Sequence, residues 1–278
     1  MSDDSKSSDS LTTSPAGTTR RQASGVARAI QLLDLIVAEG PLRFAELEDL
    51  SGIPKATLHR LLNELAEERL IHLEERSLTW ASGYRILEMA NCIWTRCDIR
   101  VLARDQLLAL NALSGETVEI AVLADTHVVV IDHVESTRSV RHSISVGNRE
   151  PVYCTGTGKV LLAWCDEKQQ RDIIGRISFA RFTPNTITDK KALTKELGVI
   201  SQQGFAVDAE ERFLGSHSIS APVVDTTGRA IAALSITAPA FRTSENELAS
   251  WCKSLVAAAA EISRRQAPRT GASLDSQH

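Results

Sequence analysis

The stretch YCTGTGKVLLAW, residues 153–164, places a glycine-rich turn and a Gly-Lys pair before an apolar run. This composition suggests a phosphate-binding loop, in which a first glycine opens the turn and a final hydroxyl binds magnesium. The spacing does not fit that chemistry, because Tyr153 stands where the first glycine belongs and Val160 replaces the hydroxyl residue. The motif therefore does not support nucleotide hydrolysis, and we expect Lys159 to be solvated.

A second candidate for catalysis is the run Ser216-His217-Ser218, with Asp208 nearby in the chain. Adjacent residues of a strand point to opposite faces, so His217 and Ser218 cannot form the hydroxyl–imidazole pair of a hydrolase. The GxSxG turn of the α/β-hydrolases is absent from the sequence. The five cysteines form no CxxC pair and no zinc-binding spacing. We therefore predict no enzyme, no metal site and no cofactor.

A third possibility for the glycine-rich turn is the binding of an anion. The first amides of a helix have no intrahelical acceptor, so a helix that begins at Gly156 and Thr157 offers them to a small carboxylate. Hydroxyl residues alternate along two later apolar segments and would share one sheet face. These residues are Ser218, Ser220, Ser235 and Thr237. The pattern indicates a polar binding pocket or, alternatively, a solvated sheet face.

Candidate nucleic-acid contacts lie in the segment KATLHRLLNELAEERL. Its leucines recur at helical spacing and leave the other residues at its start facing outward. The outward set is Lys55, Ala56, Thr57, His59 and Arg60. The order of helix, short helix, Gly turn, helix and hairpin is typical of a winged helix-turn-helix, whose last helix enters the major groove.

The charge of residues 24–85 leaves an alternative open. Acidic residues outnumber basic residues in this segment, which favours a protein-interaction helix bundle. The acidic residues cluster beyond the start of the predicted third helix, however, and Arg28, Lys55 and Arg60 would form part of one basic stripe. The distribution of charge therefore still permits DNA binding.

These sites have to be positioned by two domains. The composition is 43% hydrophobic with few aromatics, and the polar start lacks an apolar signal segment. We predict tails at 1–23 and 267–278, a DNA-binding domain at 24–85, a linker helix at 86–100 and a larger domain at 101–266. The sequence contains no run of 18 apolar residues, so we expect a cytoplasmic protein without membrane contact.

The larger domain mixes short strands with helices, without regular strand–helix alternation. Strands are predicted at 116–124, 127–135, 139–147, 204–208, 216–225 and 229–237, and helices at about 156–164, 166–175 and 189–203. A capping box of Ser244 and Glu247 opens a final helix. This order predicts an α+β domain built on an antiparallel sheet.

The N-terminal segments SGVARAIQLLDLI and GIPKATLHRLLNELAEERLI resemble the DNA-binding domain of the IclR family of bacterial transcription regulators. The resemblance implies a helix-turn-helix at about 43–62. It implies DNA contacts from Lys55, Thr57 and Arg60, and a wing at 70–84 whose basic residue is Arg76.

The segments GNREPVYCTGTGKVLLA and GFAVDAEERFLGSHSISAPVVDTTGRAIAALSIT resemble the family's effector-binding domain, which is similar to the GAF/PAS class of small-molecule sensors. The resemblance covers about residues 24–266. It implies an effector pocket built from Gly156, Thr157, Asp208, Ser218, Ser220, Ser235 and Thr237, with His142 and Glu150 on the strand and loop leading in. Ser218 replaces a cysteine frequent in the family, which implies a more polar pocket.

The resemblance also implies what the protein does. The expected function is transcriptional regulation, with repression favoured, under the control of a small organic acid. The expected partners are a palindromic DNA operator and further copies of the chain, as a homodimer or a dimer of dimers.

Overall fold

The computed structural model of the chain describes residues 24–95 and 98–266. The predicted tails lie outside these residues, as do two positions of the predicted linker helix. The chain divides into two compact units between Ile93 and Trp94. Within the described ranges, no helix is long and apolar enough to span a membrane.

The N-terminal unit is a helical bundle with a small sheet. Its elements are α1 (Gly25–Glu39), β1 (Leu42–Arg43), α2 (Phe44–Ser51), α3 (Lys55–Glu67), β2 (Ile71–Glu74), β3 (Thr79–Ser82) and α4 (Arg85–Thr95). The three strands are antiparallel in the order β1-β3-β2. This arrangement confirms the predicted winged helix-turn-helix.

Local sequence signals set the helix ends of this unit. Ser24 caps α1, since its Oγ accepts a hydrogen bond of 3.2 Å from the Ala27 amide. Gly52 ends α2 with a positive φ of 63°, a conformation that glycine adopts without steric cost. The core behind these helices is aliphatic. It contains Leu32, Ile36, Leu47, Ile53, Leu58, Leu61, Leu62, Leu65 and Ile71.

The C-terminal unit is built on one six-stranded sheet. Its helices are α5 (Asp98–Ser114), α6 (Gly156–Ala163), α7 (Glu167–Arg176), α8 (Lys190–Gln203) and α9 (Glu245–Gln266). Its strands are β4 (Thr117–Ala124), β5 (His127–Val134), β6 (Arg149–Pro151), β7 (Ala206–Ala209), β8 (Ser216–Val224) and β9 (Ala230–Pro239). All neighbours are antiparallel in the order β6-β5-β4-β9-β8-β7.

The sheet separates two apolar cores. Leu107 of α5 and Leu255 of α9 pack with Leu234 on one face. Leu161 of α6 and Leu197 of α8 belong to the core on the opposite face. Helices on both faces of an antiparallel sheet confirm the predicted α+β class.

The predicted strand at 139–147 is wrong. In the described chain these residues form turns and irregular backbone, and only Arg149–Pro151 pairs with β5. The carbonyl of His142 accepts a hydrogen bond of 2.7 Å from Thr117 Oγ1 instead of joining a strand ladder. Of the alternating apolar residues, Ile144 is buried whereas Val140 and Val146 are exposed, so the segment lacks the continuous buried face of a strand.

Candidate functional sites

The start of α3 presents the residues predicted to contact DNA. Lys55, Ala56, His59 and Arg60 are exposed, and Thr57 is half-buried. Leu58, Leu61 and Leu62 are buried on the other side of the helix. The helix therefore places its leucines in the core and keeps its first turns free for a partner.

Arg60 forms an ion pair with Glu64 one turn along α3, at 2.6 Å. Both side chains are more than half exposed, and pairs of this kind contribute only about 0–1 kcal/mol. A phosphate or base edge could therefore replace Glu64 as the partner of Arg60 at small cost.

The other two predicted DNA-contacting residues lie on separate elements. Arg28 is half-buried on α1, and Arg76 is exposed in the turn between β2 and β3. That turn contains Leu78 at a positive φ of 54°. Arg76 thus sits at the tip of the predicted wing.

The C-terminal unit contains a cavity between the start of α6 and the sheet. Seven of the nine predicted effector-binding residues line it: His142, Glu150, Gly156, Thr157, Asp208, Ser218 and Thr237. Residues far apart in the sequence therefore meet at one site. The open space is about 40 Å³, which holds only a few heavy atoms of a ligand. A larger ligand requires the rim of the cavity to move.

Ser220 and Ser235 do not line this cavity. They are directly paired across β8 and β9, and Ser220 Oγ donates a 3.0 Å hydrogen bond to Ser235 Oγ. A Cβ atom at Gly156 would lie 2.5 Å from Ser220 Oγ and 2.9 Å from Ser218 Oγ. Ser218 and Ser220 therefore form the serine support on which the start of α6 rests, and Ser235 accepts a hydrogen bond from Ser220.

The start of α6 is fixed by Thr155. Its Oγ1 accepts a hydrogen bond of 3.2 Å from the Gly158 amide and donates one of 3.0 Å to the carbonyl of Pro151. The Gly156 and Thr157 amides precede the first intrahelical hydrogen bonds, as those of any helix start do. They border the cavity and give it a dipole that favours an anion.

The expectation that Lys159 is solvated is wrong. Its exposure is 0%, because all residues of α6 from Gly156 to Leu162 are buried. The ammonium group pairs with Glu211 and donates a hydrogen bond of 2.8 Å to the carbonyl of Val207. Lys159 therefore ties α6 to the segment that carries Asp208.

Burial shifts the protonation of the groups in this pocket. Desolvation raises the pKa of Asp208 to about 7, although its Oδ1 accepts a 2.8 Å hydrogen bond from the Glu211 amide. Desolvation also lowers the pKa of His142, because burial disfavours the imidazolium form. The pocket thus favours neutral forms of these side chains.

Sequence reasoning missed eight residues of the pocket lining, among them Glu119, Arg212 and Phe213. Arg212 Nε donates to Glu150 Oε2 at 2.5 Å, and its guanidinium lies 4.7 Å from the centre of the Phe213 ring. The Phe213 ring in turn lies 5.9 Å from that of His142. The one available signal was Glu119, a charged residue inside the apolar strand segment ETVEIAVLA.

Family models match both units. The model of the IclR helix-turn-helix domain matches residues 25–75, and that of the bacterial transcriptional regulator IclR C-terminal domain matches residues 92–264. The chain belongs to the IclR family of bacterial transcriptional regulators. It is therefore a DNA-binding transcriptional regulator and not an enzyme.

Relatives of known name agree with this assignment. The HTH-type transcriptional regulator XynR of Escherichia coli (strain K12) is 31% identical over 240 residues, which cover 86% of this chain and 95% of XynR. The crystal structure of Thermotoga maritima IclR is 28% identical with a TM-score of 0.70, covering 87% of this chain and 98% of that chain.

A third relative was crystallised with a small molecule. The IclR homologue from Microbacterium hydrocarbonoxydans, complexed with 4-hydroxybenzoate, has a TM-score of 0.74. It is 22% identical, and the match covers 87% of this chain and 98% of that chain. At this identity the match shows that the fold is shared.

Proposed function

We propose that this IclR-family regulator is a repressor whose operator affinity is set by a small organic acid bound at the start of α6. The observation that carries the proposal is the cavity that Gly156 and Thr157 line together with polar residues of several other segments, among them Asp208, Ser218 and Thr237. Free amides, hydroxyls and a helix dipole are suited to a carboxylate.

The hydroxyls of Ser218 and Thr237 supply further hydrogen bonds to such an acid. These residues are direct neighbours on β8 and β9, and both line the cavity. The homologue bound to 4-hydroxybenzoate, itself an aromatic acid, supports this ligand class.

The DNA half of the proposal depends on the exposed start of α3. Lys55, Thr57 and Arg60 would contact base edges and phosphates, while Arg28 and Arg76 would contact the backbone on either side. A palindromic operator requires two copies of the unit. Exposed apolar residues on α1 and α4 offer surface for self-association, namely Val26, Ile30, Val37, Leu87 and Met89.

Repression is the simplest outcome of such binding, since a dimer on its operator excludes other proteins from that DNA. The acid changes operator affinity only if it binds one arrangement of the dimer better than the other. A tenfold change requires about 1.4 kcal/mol of coupling.

The test is fluorescence anisotropy of the full chain on DNA from upstream of its own gene, with a panel of small keto, hydroxy and aromatic acids. We expect footprinting to show two symmetric half-sites and one class of acid to change the affinity. Asp208→Ala and Ser218→Leu should lose the response but keep DNA binding, whereas Thr227→Leu, in the β8–β9 turn, should keep both. A normal response from both pocket variants would place the effector elsewhere.

A further inference from the structure

Glu119 is a buried carboxyl group with one oxygen atom, Oε2, that is unpaired within the described part of the chain. It lies on β4, is only 7% exposed and lines the cavity. Its direct neighbour on β9 is Ser235, which accepts a hydrogen bond from Ser220 of the serine support. Within the described residues, its Oε2 atom has no hydrogen-bond partner. A buried acceptor in this position is costly unless something in the cavity donates to it.

No side chain of the described residues donates a hydrogen bond to Glu119 Oε2. Glu150 and Asp208 are acidic, and the guanidinium of Arg212 is engaged by Glu150. His142 also lines the cavity, and desolvation favours its neutral form. His133 is the direct cross-strand neighbour of Glu119, and its own buried Nδ1 lacks a partner among the described residues.

The protonation of Glu119 agrees with this geometry. Desolvation raises its pKa to about 7, and the nearby Glu150 carboxylate adds to the effect. A hydrogen bond from a fixed donor would offset part of this rise. The causes of the raised pKa of Glu119 include no such hydrogen bond, in agreement with the unpaired Oε2 atom.

We propose that Glu119 determines specificity by accepting a hydrogen bond from a hydroxyl or ammonium group of the effector. This inference rests on the proposed function, in which the effector carboxylate lies at the start of α6. The ligand class is then a hydroxy acid or an amino acid, with the donor group separated from the carboxylate. A plain monocarboxylate would leave Glu119 unpaired. Sites that hydrogen-bond a group of the ligand discriminate strongly against an analogue that lacks this group.

The experiment uses two matched probe series on the full chain, with binding measured by isothermal titration calorimetry. The smaller series is propionate, 3-hydroxypropionate and β-alanine. The larger series is benzoate, 4-hydroxybenzoate and 4-(aminomethyl)benzoate. In at least one series we expect an acid with a donor group to bind ten times more tightly than the plain acid, or better.

Variants of Glu119 then assign the preference. Glu119→Leu should reduce the preference for the donor-bearing acid over the plain acid to less than threefold. Glu119→Gln keeps an acceptor oxygen without the charge, so it should retain binding of a hydroxy acid and lose binding of an amino acid. A bound ammonium group favours the ionised form of Glu119, so its binding should release a proton from that carboxyl group. Titrations in two buffers of different ionisation enthalpy measure this release and identify an ammonium ligand independently. Glu167→Gln, an exposed change on α7, is the matched control.

Two results would contradict the inference in different ways. Equal binding of plain and donor-bearing acids would overturn the role of Glu119 alone. The same holds for an unchanged preference in a folded Glu119→Leu variant, or for an unchanged preference for the amino acid in a folded Glu119→Gln variant. Failure of every probe to bind the wild-type chain would count against the proposed function and overturn this inference with it.

Discussion

The starts of α3 and α6 share local features of sequence and backbone but differ in their surroundings. Each helix follows a residue with extended ψ, 136° at Pro54 and 145° at Thr155, and each carries a lysine near its start. Lys55 is exposed, whereas Lys159 is completely buried. An exposed helix start suits a long polymer, and an enclosed one suits a small molecule. The difference lies in what packs around the helix.

The largest effect should come from breaking the buried anchor of α6. Lys159→Met leaves the carboxylate of Glu211 buried without its main partner, and we expect a loss of about 3–5 kcal/mol in the free energy of unfolding. Urea denaturation followed by circular dichroism measures this loss.

Two further variants sharpen that comparison of lysines. Lys55→Met, at the exposed start of α3, should leave stability nearly unchanged. The double variant Lys159→Met/Glu211→Met should recover much of the loss, because the unpaired charge is gone. Equal losses for the two lysine variants would show that their different burial has no energetic consequence.

The next effect concerns the close contact of α6 with its serine support. Gly156→Ala forces a methyl group against the hydroxyls of Ser218 and Ser220, so we expect a destabilisation of up to about 3 kcal/mol and loss of the effector response. Gly175→Ala is the matched control on α7, where nothing lies within 4 Å of the added atom. A fully responsive Gly156→Ala protein would show that α6 tolerates displacement.

Glu119 should make the stability of the protein depend on pH. Its pKa rises from the usual 4.5 to about 7 in the folded protein, so folding takes up a proton between these values. Its stabilising contribution is therefore complete below pH 4.5 and is lost as the pH rises through 7. Glu119→Gln mimics the protonated form and should be more stable than wild type at pH 8 by roughly 2 kcal/mol.

Denaturation midpoints between pH 5 and 8 check this expectation. The difference between wild type and Glu119→Gln should grow with pH across this range, while Asp208 continues to contribute a similar slope in both proteins. A constant difference would mean that Glu119 titrates at its ordinary pKa.

The smallest change in the free energy of unfolding is expected at the exposed start of α3. Arg60→Ala removes an exposed ion pair, so stability should change by less than about 0.5 kcal/mol. Operator affinity should fall about tenfold, because one base or phosphate contact is lost. Arg171→Ala removes the comparable exposed pair with Glu167 on α7 and should not affect DNA binding. An unchanged anisotropy titration of Arg60→Ala would exclude Arg60 from the interface.

The elements with strong local signals were predictable from the sequence. The Ser24 cap of α1, the capping box at Ser244 and Glu247 and the paired hydroxyls of β8 and β9 are all present as expected. Each depends on residues within a few positions of one another or on the period of a strand. The seven predicted pocket residues that line one cavity lie far apart in the sequence, and the resemblance to the IclR family, rather than a local signal, predicted them together.

The features that were missed depend on long-range packing. Lys159 looks like a surface residue until Glu211, 52 positions away in the chain, is seen to pair with it. Glu119 looks like one more residue of a strand, since nothing local in the sequence places it over a cavity. The segment 139–147 alternates like a strand, but its anchor is Thr117 on β4, more than twenty residues earlier.

The tight fit of Gly156 also matters for engineering. Because neither that position nor its serine support has spare room, a library aimed at a biosensor for a new metabolite should leave them unchanged. Diversity belongs at Glu119 and at the rim residues Arg212 and Phe213, where side chains border the cavity without carrying the helix. Variants at these positions would then change which acid is bound, while the start of α6 and its serine support stay unchanged.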